Sequence, residues 1–137
     1  MDIISLAHIH LRVKHLEKTR DFFQDLTGVP FKSIFSSKDL GVRSSSSQLG
    51  LVLLEPTDPN GKAAQMIEMQ EEGICALSFR VPDIDKAIAD MRSRGIKLLR
   101  KIEVGQVKEA WFDSSKTFGI QIELCEFPGD DSLRVSK

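Results

Sequence analysis

The spacing of apolar and polar residues changes several times along the chain. Residues 9–13 alternate, which is typical of a strand with one apolar face. From Leu16 to Leu26 the spacing becomes helical and places Leu16, Phe23 and Leu26 on the inner side, while Gly28 predicts the end of the helix. The first part of the chain is therefore predicted to be a strand followed by an amphipathic helix.

The same succession returns in the second half. Residues 75–81 alternate like residues 7–13, Asp83 is a suitable N-cap, and Gly95 stops the helical pattern. Four apolar positions lie on one face of this helix: Ile84, Ala87, Ile88 and Met91. Each helix is therefore expected to cover the apolar face of its own strands.

Two stretches of sequence match each other at nearly one offset. His8 returns as Ala76, 68 positions later, and Val52 returns as Glu123, 71 positions later. Self-similarity of this kind indicates one supersecondary unit built twice. The predicted fold is therefore pseudo-symmetric, with a ligand site where the two copies meet.

Three further strands are predicted in each copy, which makes each a βαβββ module. They lie around Phe31–Phe35, Val42–Ser45 and Gln48–Glu55, and around Lys97–Ile102, Lys108–Asp113 and Gly119–Glu126. The predicted class is α+β, with two modules forming a cup-shaped mixed sheet and helices on its outer face. We expect a single domain over residues 1–137: module 1 at about 4–56, a linker at about 57–72 with a short helix at Lys62–Gln70, module 2 at about 73–127, and a frayed tail at 128–137.

Composition narrows the classes of function. The formal net charge of −1 over 137 residues gives no electrostatic reason to expect a nucleic acid or a membrane as partner. Residues 1–4 lack the basic flank of a signal peptide, and no apolar run reaches the length of a membrane span, so a cytoplasmic location is expected. Cys75 and Cys125 are predicted to be buried thiols, and Trp111 is assigned to the core.

Strand alternation also predicts which side chains face the cup. A concave face that gathers a few polar groups among apolar ones is the usual form of a small-molecule site. The candidate ligand-binding residues on this face are His10, Arg12, Val52, Leu54, Ala76, Ser78, Arg80 and Gln121, and the candidate metal ligands are His8 and Glu123.

Several short motifs together resemble the vicinal oxygen chelate superfamily, which includes glyoxalases, bleomycin resistance proteins and dioxygenases. They are His8 in the first strand, LLEP at residues 53–56, GICA at 73–76 and TFGIQIEL at 117–124. Within this superfamily the chain is most similar to methylmalonyl-CoA epimerases. The resemblance implies a divalent metal in the cup, an acyl-CoA ligand and a homodimer.

The epimerase pattern holds its metal with four side chains at equivalent strand positions. His8 and Glu123 match that pattern, whereas Val52 replaces Gln or Glu and Ala76 replaces the second histidine. Valine and alanine offer no lone pair, so the inherited four-ligand centre cannot form. No carboxylate of the first module matches the catalytic base of the family, so the catalytic residues stay unassigned.

Two interpretations of His10 stay open. It could join His8 and Glu123 in a set of two imidazoles and one carboxylate, as in many iron and manganese sites. Alternatively it lines the cup, because residues two apart on a strand are displaced by ~7 Å, which is far for sharing one small ion. Arg12 and Arg80 are equivalent under the repeat and either bind an anionic ligand together or mark exposed strand ends.

Two hypotheses of function follow. In the first, the protein binds a small organic acid, acyl-CoA or aromatic ligand in the cup, above a degenerate metal site. In the second, it is a metal-dependent isomerase, lyase or dioxygenase with an altered ligand set. The cofactor is accordingly either a weakly bound divalent metal (Co, Mn, Zn, Ni or Fe) or none. The absent donors at Val52 and Ala76 favour the first hypothesis.

Overall fold

A computed structural model describes residues 1–68 and 71–129. The first module comprises β1 (Ser5–Arg12), α1 (Leu16–Thr27), β2 (Phe35–Ser37), β3 (Val42–Ser46) and β4 (Leu51–Pro56). A linker helix, α2 (Lys62–Met66), leads to the second module, which comprises β5 (Gly73–Arg80), α3 (Ile84–Ser93), β6 (Leu98–Val104), β7 (Val107–Phe112) and β8 (Gln121–Glu126). The order βαβββ therefore occurs twice, as the periodicity predicts.

All eight strands join one mixed sheet in the order β2-β3-β4-β1-β5-β8-β7-β6. The first strands of the two modules, β1 and β5, form an antiparallel pair at its centre, and each is flanked by the parallel last strand of its own module. The sheet curls into a cup with its helices outside, which confirms the predicted fold class.

The strand register has the symmetry expected from the repeat. In the first module His10 lies opposite Val52, and in the second Ser78 lies opposite Glu123. The repeat also exchanges two pairs between β1 and β5, because His8 lies opposite Ser78 and His10 lies opposite Ala76. The offsets of 68 and 71 therefore correspond to one pseudo-two-fold axis between β1 and β5.

One extra residue interrupts the ladder on each central strand. Ala7 is skipped between the pairs Leu6–Phe79 and His8–Ser78, and Cys75 is skipped in the equivalent position of β5. Such bulges bend a strand and increase its local twist. They therefore occur next to His8 and Ala76, which are equivalent positions under the repeat.

Each outer helix is tied to its sheet by a glutamate from the last strand of its module. Glu55 accepts a hydrogen bond of 2.9 Å from the Leu16 amide, and Glu126 accepts one of 2.8 Å from the Ile84 amide. A carboxylate at a helix N-terminus satisfies an unpaired amide and complements the helix dipole. The two glutamates are equivalent under the repeat, so the same support is built twice.

Three details of the elements differ from the sequence prediction. Leu26, which is predicted on the inner side of α1, is 66 % exposed, and Leu16 is the buried residue of this helix. Strand β2 begins at Phe35, since the Gln24 side chain binds the Phe31 amide and leaves Phe31 in an isolated bridge with Ser47. Helix α2 ends at Met66; residues 69–70 and 130–137, including most of the predicted frayed tail, lie outside the described residues.

The remaining global predictions concern cysteines and membrane spans. Cys75 and Cys125 are both buried free thiols, which confirms the sequence prediction. Within residues 1–68 and 71–129, each helix is too short or too polar to span a lipid bilayer.

Candidate functional site

Three titratable side chains converge at the floor of the cup. Nε2 of His8 lies 3.4 Å from Oε1 of Glu123, and Nε2 of His10 lies 3.3 Å from Oε2 of the same carboxylate. The two imidazole centroids are 4.7 Å apart, and each of the three side chains is at most 2 % exposed. We call this group the His–Glu cluster.

The structure brings His8 and His10 together, as the first of the two interpretations of His10 requires. Cα atoms two residues apart are indeed separated by ~7 Å. The two rings nevertheless approach each other to 4.7 Å between centroids, because both side chains turn toward the carboxylate of Glu123. Sheet curvature, which the alternation of residues does not encode, decides this distance.

Ser78 fixes the position of the carboxylate. Its hydroxyl donates a hydrogen bond of 2.7 Å to Oε1 of Glu123 from the neighbouring strand. A carboxylate that is 0 % exposed is costly unless hydrogen bonds, protons or cations compensate its charge. Ser78, the predicted ligand-binding residue, therefore supports Glu123 from behind and orients it toward the two histidines.

The His–Glu cluster fits a divalent metal ion. One nitrogen or oxygen atom from each residue lies within 4.8 Å of the others. Metal–ligand bonds of about 2.0–2.2 Å place two donors of one tetrahedral ion ~3.4 Å apart, close to the two His–Glu distances. Two imidazoles and a carboxylate suit Zn, Fe, Mn, Co or Ni. His8, His10 and Glu123 would hold the ion, which would supply a Lewis acid.

An apolar cavity of about 120 Å³ lies between the two halves of the sheet. A dry cavity of ~150 Å³ is large enough for benzene, so this one suits a compact group. Apolar side chains from both modules line it, and α2 closes one side; they include Phe35, Val42, Val52, Leu54, Met66 and Trp111. His10, Ser44 and Glu109 are the polar side chains among its described lining residues.

His10 connects the cavity to the His–Glu cluster. Its ring lines the cavity and lies 5.0 Å from that of Trp111, in an edge-to-face arrangement. His8 and Glu123 are not among the residues that line the cavity. His10 is therefore the member of the His–Glu cluster that faces the cavity.

The structure places Arg12 and Arg80 at opposite ends of the central strand pair. Because β1 and β5 are antiparallel, Arg12 lies opposite Gly73 and Arg80 lies opposite Ser5, at the two ends of the central pair. Arg80 donates to the carbonyl oxygens of Phe127 and Gly129 and stacks 4.1 Å from the Phe127 ring. Neither Arg12 nor Arg80 is among the residues that line the cavity.

The other predicted ligand-binding residues divide into two groups. Val52 and Leu54 line the cavity, and Ala76 packs beside them in the apolar cluster around it. Gln121 instead holds the linker, since its amide nitrogen donates to the Met66 carbonyl and its oxygen accepts from the Glu68 amide at 3.2 Å. Gln121 therefore acts on the cavity through α2.

Burial raises the pKa of the Cys75 thiol to about 12, although the charge of Arg12 partly opposes this shift. The thiol donates to the His10 carbonyl at 3.4 Å. A thiol that stays protonated at neutral pH is a poor nucleophile. Cys75 therefore has a structural role at the bulge beside the His–Glu cluster.

Sequence reasoning missed Glu109. It lies on β7 with only 9 % of its surface exposed, and it lines the cavity together with Val107 and Trp111. Alternation along the predicted strand 108–113 already placed Glu109 on the face of Trp111, so the signal was present. Alternation alone does not single it out, because a lone glutamate in a strand usually faces solvent.

Comparison with known proteins assigns the chain to a family. Residues 7–106 match the model of the Glyoxalase/Bleomycin resistance protein/Dioxygenase superfamily. The chain therefore belongs to this superfamily, as the resemblance of its motifs implied.

Individual relatives are more distant. The uncharacterized protein YqjC of Bacillus subtilis is 22 % identical over 131 residues, which cover 91 % of this chain and 94 % of that protein. A variant of Streptomyces coelicolor methylmalonyl-CoA epimerase, in complex with 2-nitronate-propionyl-CoA, has a TM-score of 0.79 at 21 % identity over 93 % of this chain and 100 % of that one. The epimerase of Mycobacterium tuberculosis has a TM-score of 0.78 at 21 % identity, covering 93 % and 90 % of the two chains. These structures share the fold.

Proposed function

We propose that the protein is a small-molecule-binding member of the superfamily, which holds its ligand in the apolar cavity of the cup. The observation that carries the proposal is the apolar cavity, about 120 Å³ in volume, with His10 on its wall. Apolar walls with a few polar groups favour a ligand with a compact aromatic or branched aliphatic body. In an acyl-CoA, only the acyl group would match a cavity of this volume.

The His–Glu cluster is proposed to bind a divalent metal weakly. It offers three donors where the epimerase pattern offers four, because Val52 and Ala76 flank His10 without a lone pair. Binding Co²⁺ or Zn²⁺ there would compensate the buried carboxylate of Glu123 and fix both imidazole rings. In this proposal the ion orders the floor of the cup, and the His10 ring is the part of the His–Glu cluster that contacts the ligand.

The decisive experiment examines protein purified without chelator and without a histidine tag. Elemental analysis gives its metal content, and mass spectrometry after denaturation identifies any small molecule that it releases. An organic ligand from metal-poor protein supports binding. If thermal-shift screening of acyl-CoAs, organic acids and aromatic compounds then detects no ligand, the proposal fails.

A cavity-filling variant locates the ligand. Ala63 is 3 % exposed and lines the cavity from α2, so Ala63→Phe should occupy the space and abolish binding. Ala89 lies on the exposed side of α3, so Ala89→Phe is the matched control and should leave binding unchanged. Equal affinity of both variants for a screening hit would place that ligand elsewhere.

A second candidate function is that of a metal-dependent isomerase, lyase or dioxygenase. The observation that favours it is the convergence of two imidazoles and a carboxylate within 4.8 Å. Methylmalonyl-CoA in deuterated buffer with Co²⁺-loaded protein tests the isomerase form, by NMR of the proton next to the thioester, and oxygen uptake tests the dioxygenase form. Metal-dependent turnover that Glu123→Gln abolishes would replace the binding proposal.

We also propose that the protein is a cytoplasmic homodimer. Leu6 and Ile74 are 48 % and 63 % exposed, and the register places them opposite Phe79 and Leu11 on the outer side of the central strands. Side chains directly opposite each other share one face of a sheet. An apolar strip along the middle of the outer face would be buried by a second copy.

A further inference from the structure

We infer that the Ser44 hydroxyl recognises a hydroxyl group of the ligand, so that the cavity takes a compact phenol or alcohol in preference to a hydrocarbon of the same shape. The inference rests on the proposed binding function and specifies its ligand class. It also gives a role to a serine of the first module that the fold does not require.

Ser44 begins a run of four serines, Ser44–Ser47, at the end of β3. The Ser45 hydroxyl donates a hydrogen bond of 2.7 Å to the Lys32 carbonyl, and the Ser47 hydroxyl accepts one of 3.2 Å from an amide of the turn before β4. These two side chains have structural roles. The Ser44 hydroxyl makes no hydrogen bond within the part of the chain that the structure describes.

Strand register directs Ser44 into the cavity. It lies opposite Leu54 of β4 on one side and opposite Phe35 of β2 on the other. Side chains directly opposite each other share one face of a sheet, and so do alternate residues such as Val42 and Ser44. All four residues line the cavity. The hydroxyl is therefore set in a wall that is otherwise apolar at this point.

The Ser44 hydroxyl is open to a ligand. The residue is half-buried, and its oxygen is not among the fully enclosed polar atoms that lack a partner. By contrast, the imidazole of His10 on the same cavity wall already lies 3.3 Å from Glu123. Ser44 therefore offers the cavity an uncharged group that can both donate and accept a hydrogen bond.

This hydroxyl distinguishes ligands when the cavity is filled. An apolar ligand would displace water from Ser44 and leave the hydroxyl without a partner, which is costly. A ligand hydroxyl in contact with Ser44 would replace that water with a direct hydrogen bond. Sites that pair a polar group of the ligand in this way reject the analogue that lacks it. A single uncharged serine compensates a neutral group better than an ionised one.

The first test compares phenol with toluene, which have the same ring and nearly the same shape. Both are titrated calorimetrically into native protein near neutral pH, with EDTA present so that a metal cannot bind phenol. We expect phenol to bind at least as tightly as toluene, although phenol is the better hydrated of the two in water. Toluene binding more than about 10-fold tighter than phenol would overturn the inference, because a cavity without a hydrogen-bond partner favours the hydrocarbon.

Substitution then assigns the preference to Ser44. Ser44→Ala removes the hydroxyl and should reduce the phenol-to-toluene affinity ratio by about 3- to 10-fold, the range expected for one neutral hydrogen bond. Ser36→Ala is the matched control and should leave the ratio unchanged, because Ser36 is exposed on β2 and lies opposite Arg43, whose side chain alternates with that of Ser44. An unchanged ratio in Ser44→Ala would overturn the inference.

Failure of the function itself has a different signature. If neither probe binds the native protein, or if Ala63→Phe leaves their affinity unchanged, the cavity is not the binding site and both proposals fall. If Ala63→Phe abolishes binding while Ser44→Ala keeps the native ratio, the binding function stands and the role of Ser44 is excluded. The comparison in native protein needs no variant, so a folding defect in Ser44→Ala would not protect the inference.

Discussion

At the scale of single residues, His10 has the most consequential neighbours. It lies opposite Val52 on one side and Ala76 on the other, while its imidazole lies 3.3 Å from Glu123. Two positions that carry donors in the epimerase pattern are thus apolar and adjacent to a histidine that the pattern does not use. The floor of the cup thus offers one imidazole between two apolar side chains.

Restoring those donors should strengthen metal binding. In Val52→Gln combined with Ala76→His, two further donors flank His10, so we expect the affinity for Co²⁺ or Zn²⁺ to rise at least 10-fold by calorimetry. Glu123→Gln removes the only charged donor and should abolish binding. Tight binding by the native chain that survives Glu123→Gln would show that the ion binds elsewhere.

The thiol of Cys75 predicts a pH dependence of stability. Burial raises its pKa to about 12 in the folded protein, against 9.0 for an ordinary thiol. Above about pH 9 the unfolded chain loses this proton while the folded protein keeps it, so the free energy of unfolding should fall as the pH rises from about 9 to 12. Below about pH 9 the thiol is protonated in both states, so it does not change the free energy of unfolding with pH.

Urea unfolding at a series of alkaline pH values measures this slope. Cys75→Ala removes the thiol and should flatten the decline relative to the native chain, whatever its effect at neutral pH. An identical slope in both proteins would assign the alkaline loss of stability to other groups.

At the scale of elements, the two outer helices are supported unequally. Helix α3 has Asp83, whose carboxylate accepts from the Asp85 and Lys86 amides at 3.1 Å, in addition to Glu126. Helix α1 begins after His15, which makes no side-chain cap, so Glu55 is the side chain that binds its first amide. The same strand-end glutamate therefore matters more in the first module.

Alanine substitution should reveal this inequality. We expect Glu55→Ala to lower the free energy of unfolding by about 2 kcal/mol and Glu126→Ala by about 1 kcal/mol, since a lost cap costs about 0.5–2 kcal/mol. Glu103→Ala on the exposed part of β6 is the control, with a change within about 0.5 kcal/mol. A larger loss of stability in Glu126→Ala than in Glu55→Ala would contradict the conclusion that α1 depends more on its glutamate than α3 does.

Much of the element structure could be predicted from the sequence, for local reasons. Periodicity and end signals such as Asp83 and Gly28 depend on residues near in sequence, and α1 and α3 form where these signals predict them. The prediction that Leu26 faces the sheet is wrong. Local sequence does not show how much of the surface of α1 the sheet covers. The Gln24 contact to Phe31 likewise depends on the path of the chain after α1.

At the scale of the whole molecule, the symmetry could be predicted and the curvature could not. The repeat relates His8 to Ala76 and Val52 to Glu123, and the register has this symmetry. The convergence of His8 with His10 depends on the curl of the sheet and on the direction of their side chains toward Glu123. The separation of the arginines depends on the antiparallel direction of β1 and β5, which alternation within one strand does not specify.

The outer face of the sheet gives a prediction about assembly. Ile74→Asp introduces a charge into the strip formed with Leu6, Leu11 and Phe79, and should weaken the proposed homodimer at least 10-fold in analytical ultracentrifugation. Phe118→Asp is the control, because Phe118 is 97 % exposed on the loop before β8. A dimer equally stable in both variants would exclude this strip as the interface.

The central place of β1 also has a consequence for biosynthesis. Glu123 lies 115 positions after His8 in the sequence. At 5–20 residues per second the ribosome therefore adds Glu123 about 6–23 s later than His8. Until β8 emerges, β5 has β1 on one side and an unpaired edge on the other, which invites pairing with another nascent chain. The strand that closes this edge also delivers the carboxylate to the two histidines. A prematurely terminated chain would thus be aggregation-prone and would lack the His–Glu cluster.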